Sequence, residues 1–311
     1  MQPAFGCSNF IFLFHWDDND LELDCCPDTL ARRHFGALRL SRKGDVPMVP
    51  LVSFVRSGLR TSRLAFGLSR LHHMPSAKVR QDLLATAADL GFRHFDTARA
   101  YGDGLAEREL GMFLQGRRQN LIVATKFGIP AHPLVERISS MRMPVALARR
   151  LGWRDVRPPM SAAALRESIA KSLRALRTDI IDILFLHEPA TDLIAQPEEL
   201  IAEMQRQKAS GAVKFFGVAG NYVGCIEVSR LLGPIIEITQ TYESDWKSGA
   251  LVPDLTFSAM RRGPQSRLEK PLDENGALAD LRATLQRRPN GAVIVSTRRT
   301  EHLQALAKAA A

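Results

Sequence analysis

GFRHFDTARAYGDGLAERELG, running from Gly91 to Gly111, is a strand, a turn and the start of a helix in immediate succession. The apolar run Phe92 to Phe95 ends in Asp96, Gly102, Asp103 and Gly104 break the turn, and a helical pattern resumes near Glu107. Asp96 therefore stands at the C-terminal end of a strand, with the phenol of Tyr101 shortly after it. A carboxylate there is either an end cap or a site residue. In an alternating β/α chain the C-terminal edge of the sheet is where chemistry collects, but position alone does not separate the two readings.

The same alternation extends in both directions. Leu51 to Arg56 and Thr61 to Leu68 read as a hairpin around Ser57-Gly58. Ser76 caps a helix with Val79, Leu83, Ala87 and Leu90 on one face, and a helix over Ala106 to Leu114 leads to the strand Leu121 to Thr125. Ser161 caps another helix, striped by Leu165, Ile169, Leu173 and Leu176, before Ile180 to Leu186, an almost wholly apolar run suited to a parallel strand buried on both faces. Helices Glu198 to Ala209, Val223 to Leu232 and Leu278 to Arg287 precede strands Val213 to Val218, Ile235 to Thr239 and Ala292 to Ser296. Leu255 to Ser258 adds a further strand, and Glu301 to Ala310 closes the chain as a helix.

Counted from Leu64, this makes about eight β/α units in roughly 260 residues, the rhythm of a closed (β/α)8 barrel. The expected fold is thus an α/β TIM barrel over residues 50–311 with an N-terminal β-hairpin. An open doubly wound sheet competes, but its phosphate signature is missing: Glu107 occupies the place of the third glycine after Gly102 and Gly104. Residues 1–49 mix an aromatic cluster, an acidic run and a basic run without sustained periodicity, and read as a poorly ordered extension. Translation beginning at Met48 would account for them.

The chain has 311 residues, 45% of them hydrophobic, ample for one large α/β domain. Its net charge of +9 is modest and its arginines are dispersed, which favours a solvated basic surface or anionic small molecules over nucleic acid. Cys7, Cys25, Cys26 and Cys225 form neither a disulfide framework nor metal spacing, so a reducing cytoplasm and no metal are expected. The apolar run Phe10 to Phe14 is too short to span a bilayer, and no membrane association is expected.

Lys126 follows the strand Leu121 to Thr125, and His187 follows Ile180 to Leu186. Each alone reads as a solvated end residue or a satisfied histidine. Three consecutive strands ending in ionisable side chains, together with Tyr101, read as an active site.

From about Leu51 onward the chain resembles the aldo-keto reductases: FDTARAYGDGLAERELG, ATKFG, LFLHEP and FGVAGN fall in that family's order. The resemblance implies a catalytic tetrad of Tyr101, Lys126, Asp96 and His187. Reducing a carbonyl by hydride transfer leaves negative charge on oxygen, so the site needs a proton donor and groups that strengthen as charge grows. Tyr101 would donate, Lys126 would make the phenol more acidic, Asp96 would hold Lys126 charged, and His187 would orient the substrate oxygen.

The resemblance also implies a nicotinamide cofactor. Gln240 and Asn221 match the family's amide-binding residues, although Ala219 and Gly220 replace the usual serine. Phe257 falls where an aromatic ring stacks on the nicotinamide, Ser258 at a pyrophosphate contact, and Thr297, Arg298 and Arg299 in the phosphate-binding turn before the last helix. The arginine pair favours NADPH over NADH. Ser296 replaces that turn's usual glycine, and Leu306 an expected asparagine.

Residues 130–160 read as a long solvated loop with a short helix at Ala146 to Leu151 and basic residues Arg149, Arg150, Arg154 and Arg157. Little chain follows the last helix, unlike the long loop that narrows the pocket in steroid-reducing relatives. FGVAGN and the insertion are similar to the sugar-dehydrogenase branch. The expected substrate is a small carbonyl compound or a sugar, handled by a monomer or weak homo-oligomer. A cofactor-binding sensor or regulatory subunit, as some relatives of this fold are, is the alternative.

Overall fold

The computed structural model describes residues 48–151, 157–246, 252–260 and 274–311, all within one compact unit, Gly44–Ala311. The expected extension, apart from its last residues, lies outside the described residues. Two short antiparallel strands, β1 (Leu51–Ser53) and β2 (Arg60–Ser62), form the hairpin, with Leu51 opposite Ser62 and Gly58 at φ +68° in the turn. The run expected as one strand from Thr61 to Leu68 is divided at Arg63. There the guanidinium leaves the sheet to donate to the carbonyls of Leu285 and Gly291, and β3 (Leu64–Gly67) begins a second sheet.

That second sheet is a closed parallel barrel. Beside β3 stand β4 (His94–Asp96), β5 (Ile122–Phe127), β6 (Ile181–His187), β7 (Val213–Gly220), β8 (Ile236–Tyr242), β9 (Leu255–Phe257) and β10 (Ala292–Val295), and β10 pairs back onto β3. The surrounding helices are α1 (Ala77–Asp89), α2 (Leu105–Phe113), α3 (Pro133–Arg137), α4 (Arg142–Arg150), α5 (Ala162–Leu176), α6 (Pro197–Ala209), α7 (Tyr222–Leu232), α8 (Glu274–Arg287) and α9 (Thr300–Ala310).

The two-residue period of a strand sorts the core into layers. Leu64, Phe66, Leu184, Leu186, Phe216 and Val218 face outward onto apolar helix faces, while Ala65, Ala124, Ile183, Phe185, Ile238 and Ile294 fill the barrel with Phe54, which comes from the hairpin turn. β6 is buried along all but its last residue, as its unbroken apolar run requires. Each large side chain removed from water here contributes about 1.5–3 kcal/mol. The two expected caps form: Ser76 Oγ accepts from Val79 N at 3.3 Å and Ser161 Oγ from Ala164 N at 3.2 Å. The α1 stripe is centred on Leu83, Leu84 and Ala87, leaving Val79 exposed.

The insertion after β5 departs from expectation. In place of a solvated loop, it carries α3, started by Pro133 at its first turn, and α4, which begins four residues earlier than the expected Ala146. Arg149 and Arg157 are anchored, as described below; Arg154 and the side chain of Arg150 lie outside the described residues. Among the described residues no helix is long and apolar enough to cross a membrane.

Candidate active site

Alternation along the strands also builds the site. Lys126 is two residues beyond the barrel-filling Ala124, His187 two beyond Phe185, Gln240 two beyond Ile238 and Phe257 two beyond Leu255, so all four continue the inward face to the C-terminal mouth. Parallel pairing sets Asp96 against Ala124 and Lys126 against Phe185, placing these strand ends side by side.

Lys126 Nζ donates to Asp96 Oδ1 at 2.5 Å and to the Thr97 carbonyl at 3.0 Å, with the lysine side chain 1% exposed. The same ammonium lies 5.0 Å from the centroid of the Tyr101 ring, and the Tyr101 and His187 rings meet edge-on with centroids 6.0 Å apart. All four expected catalytic side chains therefore meet. Glu107, at the position that excluded a dinucleotide-binding signature, is fully buried behind them and accepts from Thr125 Oγ1 at 2.7 Å and Arg99 Nη1 at 3.1 Å.

Burial governs the protonation of the site. It pushes the Tyr101 phenol well above its ordinary pKa, and the negative charges of Asp96 and Glu188 push it further. The sequence expects Lys126 to make the phenol more acidic; the ammonium, held by Asp96 and Thr97, lies over the Tyr101 ring, while burial and the two carboxylates set the direction of the phenol's shift. Burial lowers Lys126 and raises Asp96, each restrained by the opposite charge of the other. His187 is driven well below its usual value by burial and by the charges of Lys126 and Arg157, so its ring is neutral, and Nδ1 is buried without a partner among the described residues.

The pattern that defines the aldo/keto reductase family matches residues 63–242, more than half of the chain. The chain belongs to the aldo/keto reductase family. Over 174 residues it is 32% identical to D-threo-aldose 1-dehydrogenase from a Pseudomonas species, covering 52% of this chain and 51% of that protein. It is 30% identical to L-galactose dehydrogenase from Arabidopsis thaliana over 179 residues, covering 55% and 49%. The chain spans about half the length of these curated relatives. An aldo-keto reductase from Bacillus halodurans, solved in its holo form, superposes with a TM-score of 0.62 at 21% identity, covering 84% of this chain and 90% of that one, a likeness of fold.

The residues of this family member that the sequence assigns to a cofactor divide into two groups. Gln240 joins the tetrad: it is 3% exposed, its amide draws the Asp96 pKa down, and its Oε1 has no partner among the described residues, which suits a carboxamide donor. Asn221 Oδ1 instead accepts from Gly224 N at 2.8 Å to cap α7, so that oxygen is engaged by the helix start. Phe257 packs on Tyr242 with centroids 4.2 Å apart, and Ser258 follows at φ +61°.

Thr297, Arg298 and Arg299 form the second group, after β10. Thr297 Oγ1 accepts from Arg299 N at 3.1 Å, α9 starts without a side-chain cap, and both arginines are exposed, an arrangement open to a phosphate. The two departures from the family turn have structural uses. Ser296 Oγ donates to the Gly67 carbonyl at 2.9 Å, tying β10 to β3, and Leu306 is buried in the core.

Sequence reasoning gave three polar residues at the mouth no place in the site. Glu188, directly after His187 in LFLHEP, is buried in a left-handed conformation at φ +48°, accepts from Asn221 N at 3.2 Å, and is raised by burial. Burial first, then the charge of Glu188, holds the Tyr242 phenol above its ordinary pKa, and the hydrogen bond between the two side chains adds to it. Asp103, read only as a turn residue, accepts from His132 N at 2.9 Å and from Arg149 at 3.0 and 3.1 Å. Arg157 donates to the carbonyls of His187 at 3.0 Å and Glu188 at 2.7 Å. Glu188 was legible as the neighbour of a strand-end histidine; the other contacts depend on how the insertion folds.

Proposed function

We propose that this protein is a nicotinamide-dependent oxidoreductase that transfers a hydride between the cofactor and a small aldehyde or ketone, or a sugar hydroxyl, with NADPH preferred over NADH. The observation that carries the reading is the convergence of Tyr101, Lys126, Asp96 and His187 at one barrel mouth, beside the amide oxygen of Gln240, which has no partner among the described residues. Gln240 and Phe257 would hold the nicotinamide end of the cofactor, and Thr297, Arg298 and Arg299 its phosphates. When bound, the cofactor supplies the hydride that this chain's side chains cannot.

Tyr101 Oη gives its proton to the carbonyl oxygen. The phenol is protonated at rest, and the carbonyl oxygen becomes basic enough to take its proton only as hydride adds to the carbonyl carbon. Neutral His187 orients the same oxygen through a ring N–H. Lys126, fixed by Asp96, places a positive charge behind the phenol and stabilises the phenolate left after donation.

The relatives named for sugar dehydrogenation make an aldose the first substrate to test. Arg298 and Arg299, exposed at an uncapped helix start, suit a ribose 2′-phosphate, which only NADPH carries. The tetrad is complete, and nothing about the site favours a sensor subunit. Residence in a reducing cytoplasm, where the buried thiol of Cys225 stays free, and action as a monomer or weak homo-oligomer belong to the same reading.

The test is the change in nicotinamide absorbance with a panel of substrates: loss with NADPH and small aldehydes or ketones, gain with NADP+ and aldoses. Tyr101→Phe should lower turnover by about 10²-fold or more and leave NADPH binding nearly intact, as loss of a general acid predicts. A wild-type protein that binds NADPH and turns over none of the panel would overturn the proposal.

A further inference from the structure

The insertion leaves the barrel after β5 and rejoins it at α5, and its contacts with the mouth fall on the three loops that carry the tetrad. After β4, Tyr101 is followed by Gly102, Asp103 and Gly104, all in left-handed conformations at φ +57°, +50° and +83°. Asp103 departs from glycine in a region that strains a side chain, yet its carboxylate is 6% exposed, takes the His132 N–H and receives both arms of the Arg149 guanidinium from α4. After β5, Gly128 at φ +118° leaves room for the Met160 methyl, which a Cβ there would strike. After β6, one nitrogen of Arg157 bonds the carbonyls of both His187 and Glu188. Glu188 is itself held at a left-handed φ, and its N–H donates to the Ala219 carbonyl at 2.6 Å.

Two of these contacts are charge-assisted, and the forked pair of Arg149 on Asp103 restrains orientation as well as distance. Neither arginine touches the tetrad side chains in these contacts. What they restrain is backbone: the turn that sets the direction of Tyr101 and the strand end that sets the direction of His187.

We propose that Arg149 and Arg157 are positioning residues, through which the insertion braces the Tyr101 turn and the His187 strand end in the geometry the reaction needs. As far as turnover is concerned, this rests on the proposed carbonyl reduction. The bracing itself is independent of it. A displacement of about 1 Å in a reacting group lowers rate by up to about 10²-fold, so loss of one brace should act on the chemical step and leave cofactor affinity alone.

The test uses Arg149→Ala, Arg149→Lys, Asp103→Ala, the Arg149→Ala/Asp103→Ala double variant and Arg157→Ala in the full chain. Amide hydrogen exchange is followed in peptides spanning residues 98–106 and 187–190, and in barrel strands as a check on folding. NADPH affinity and aldehyde turnover are measured alongside. The expected result for Arg149→Ala is faster exchange in 98–106 with barrel strands unchanged, kcat lower by about 10-fold or more, and NADPH affinity within about 2-fold of wild type. Asp103→Ala should match it, the double variant should be no worse than either single one, and Arg149→Lys, which keeps charge but loses the fork, should lie between. Arg157→Ala should loosen 187–190 in the same way.

Unchanged exchange in both peptides overturns the bracing. Faster exchange with wild-type kcat overturns the positioning role. If the wild-type protein shows no turnover, the carbonyl-reductase reading fails while exchange still decides the brace. If Arg149→Ala fails to fold, Arg149→Lys carries the same comparison.

Discussion

Replacing Asp96 by Asn keeps the shape of the side chain and removes the charge that faces Lys126. The ammonium is 1% exposed, its contact with Asp96 Oδ1 measures 2.5 Å, and its other acceptor is the uncharged Thr97 carbonyl. Breaking a buried ion pair by removing one partner costs about 3–5 kcal/mol, because the remaining charge stays desolvated. Lys126, already lowered by burial, is then lowered further and sheds its proton on folding. In the unfolded chain the same lysine keeps its proton to about pH 10. Between pH 7 and 9 the unfolded state of the variant therefore binds more protons than the folded state. Its stability must rise with pH, with a slope approaching about 1.4 kcal/mol per unit. The wild-type slope should be shallower, since Asp96 holds the ammonium charged. Urea unfolding of both proteins at several pH values across that window measures the two slopes. A variant within about 1 kcal/mol of wild type at pH 7, with the same pH dependence, would show that the pair does not hold a desolvated ammonium and that the electrostatic account of the site is wrong.

Two other perturbations follow from charge. Arg298→Ala with Arg299→Ala should weaken NADPH binding by about 10-fold or more and leave NADH binding within about 2-fold, as read by cofactor fluorescence titration; equal weakening of both would remove the pair from 2′-phosphate recognition. Because burial, Asp96 and Glu188 raise the Tyr101 phenol, carbonyl reduction, which uses the protonated form, should be insensitive to that group from pH 6 to 9. Alcohol oxidation, which needs the phenolate, should climb with pH over the same range, and a matching rise in both directions would contradict the assignment.

The barrel was legible because its signals are local. Apolar runs such as Ile181–Leu186, caps such as Ser76 and Ser161, and the recurrence of a charged residue where a strand stops all follow from the period of a strand or helix and from the orphan N–H groups at a helix start. The meeting of Asp96, Lys126 and His187 was legible for the same reason, since parallel strands put their ends on one rim. The insertion was not. Its arginines are anchored by a carboxylate 46 residues earlier in sequence and by carbonyls 30 and 31 residues later, and nothing in the spacing of 130–160 encodes partners that distant. Backbone carbonyls leave no trace in a side-chain pattern, so Arg157 could not be paired from sequence at all. Arg63 misled for a related reason: its β-compatible neighbours hid a guanidinium that turns away to the carbonyls at 285 and 291.

The electrostatics of the mouth bear on when the phenol becomes a donor. If Lys126 acidified Tyr101 in the resting site, the phenol pKa would fall, and part of the protein would sit as phenolate before substrate arrived. The arrangement works against that: Lys126 is neutralised by Asp96, and Glu188 adds a second negative charge within reach. A proton held this firmly moves only towards a stronger base, and a carbonyl oxygen becomes one only as hydride adds to its carbon. The same carboxylates oppose the phenolate at every stage, so donation relies on the basicity that the substrate oxygen gains and on the positive charge of Lys126, which offsets the phenolate as it forms. What the site supplies at that point is a placed proton and a nearby cation, both in position before negative charge builds up on the substrate oxygen.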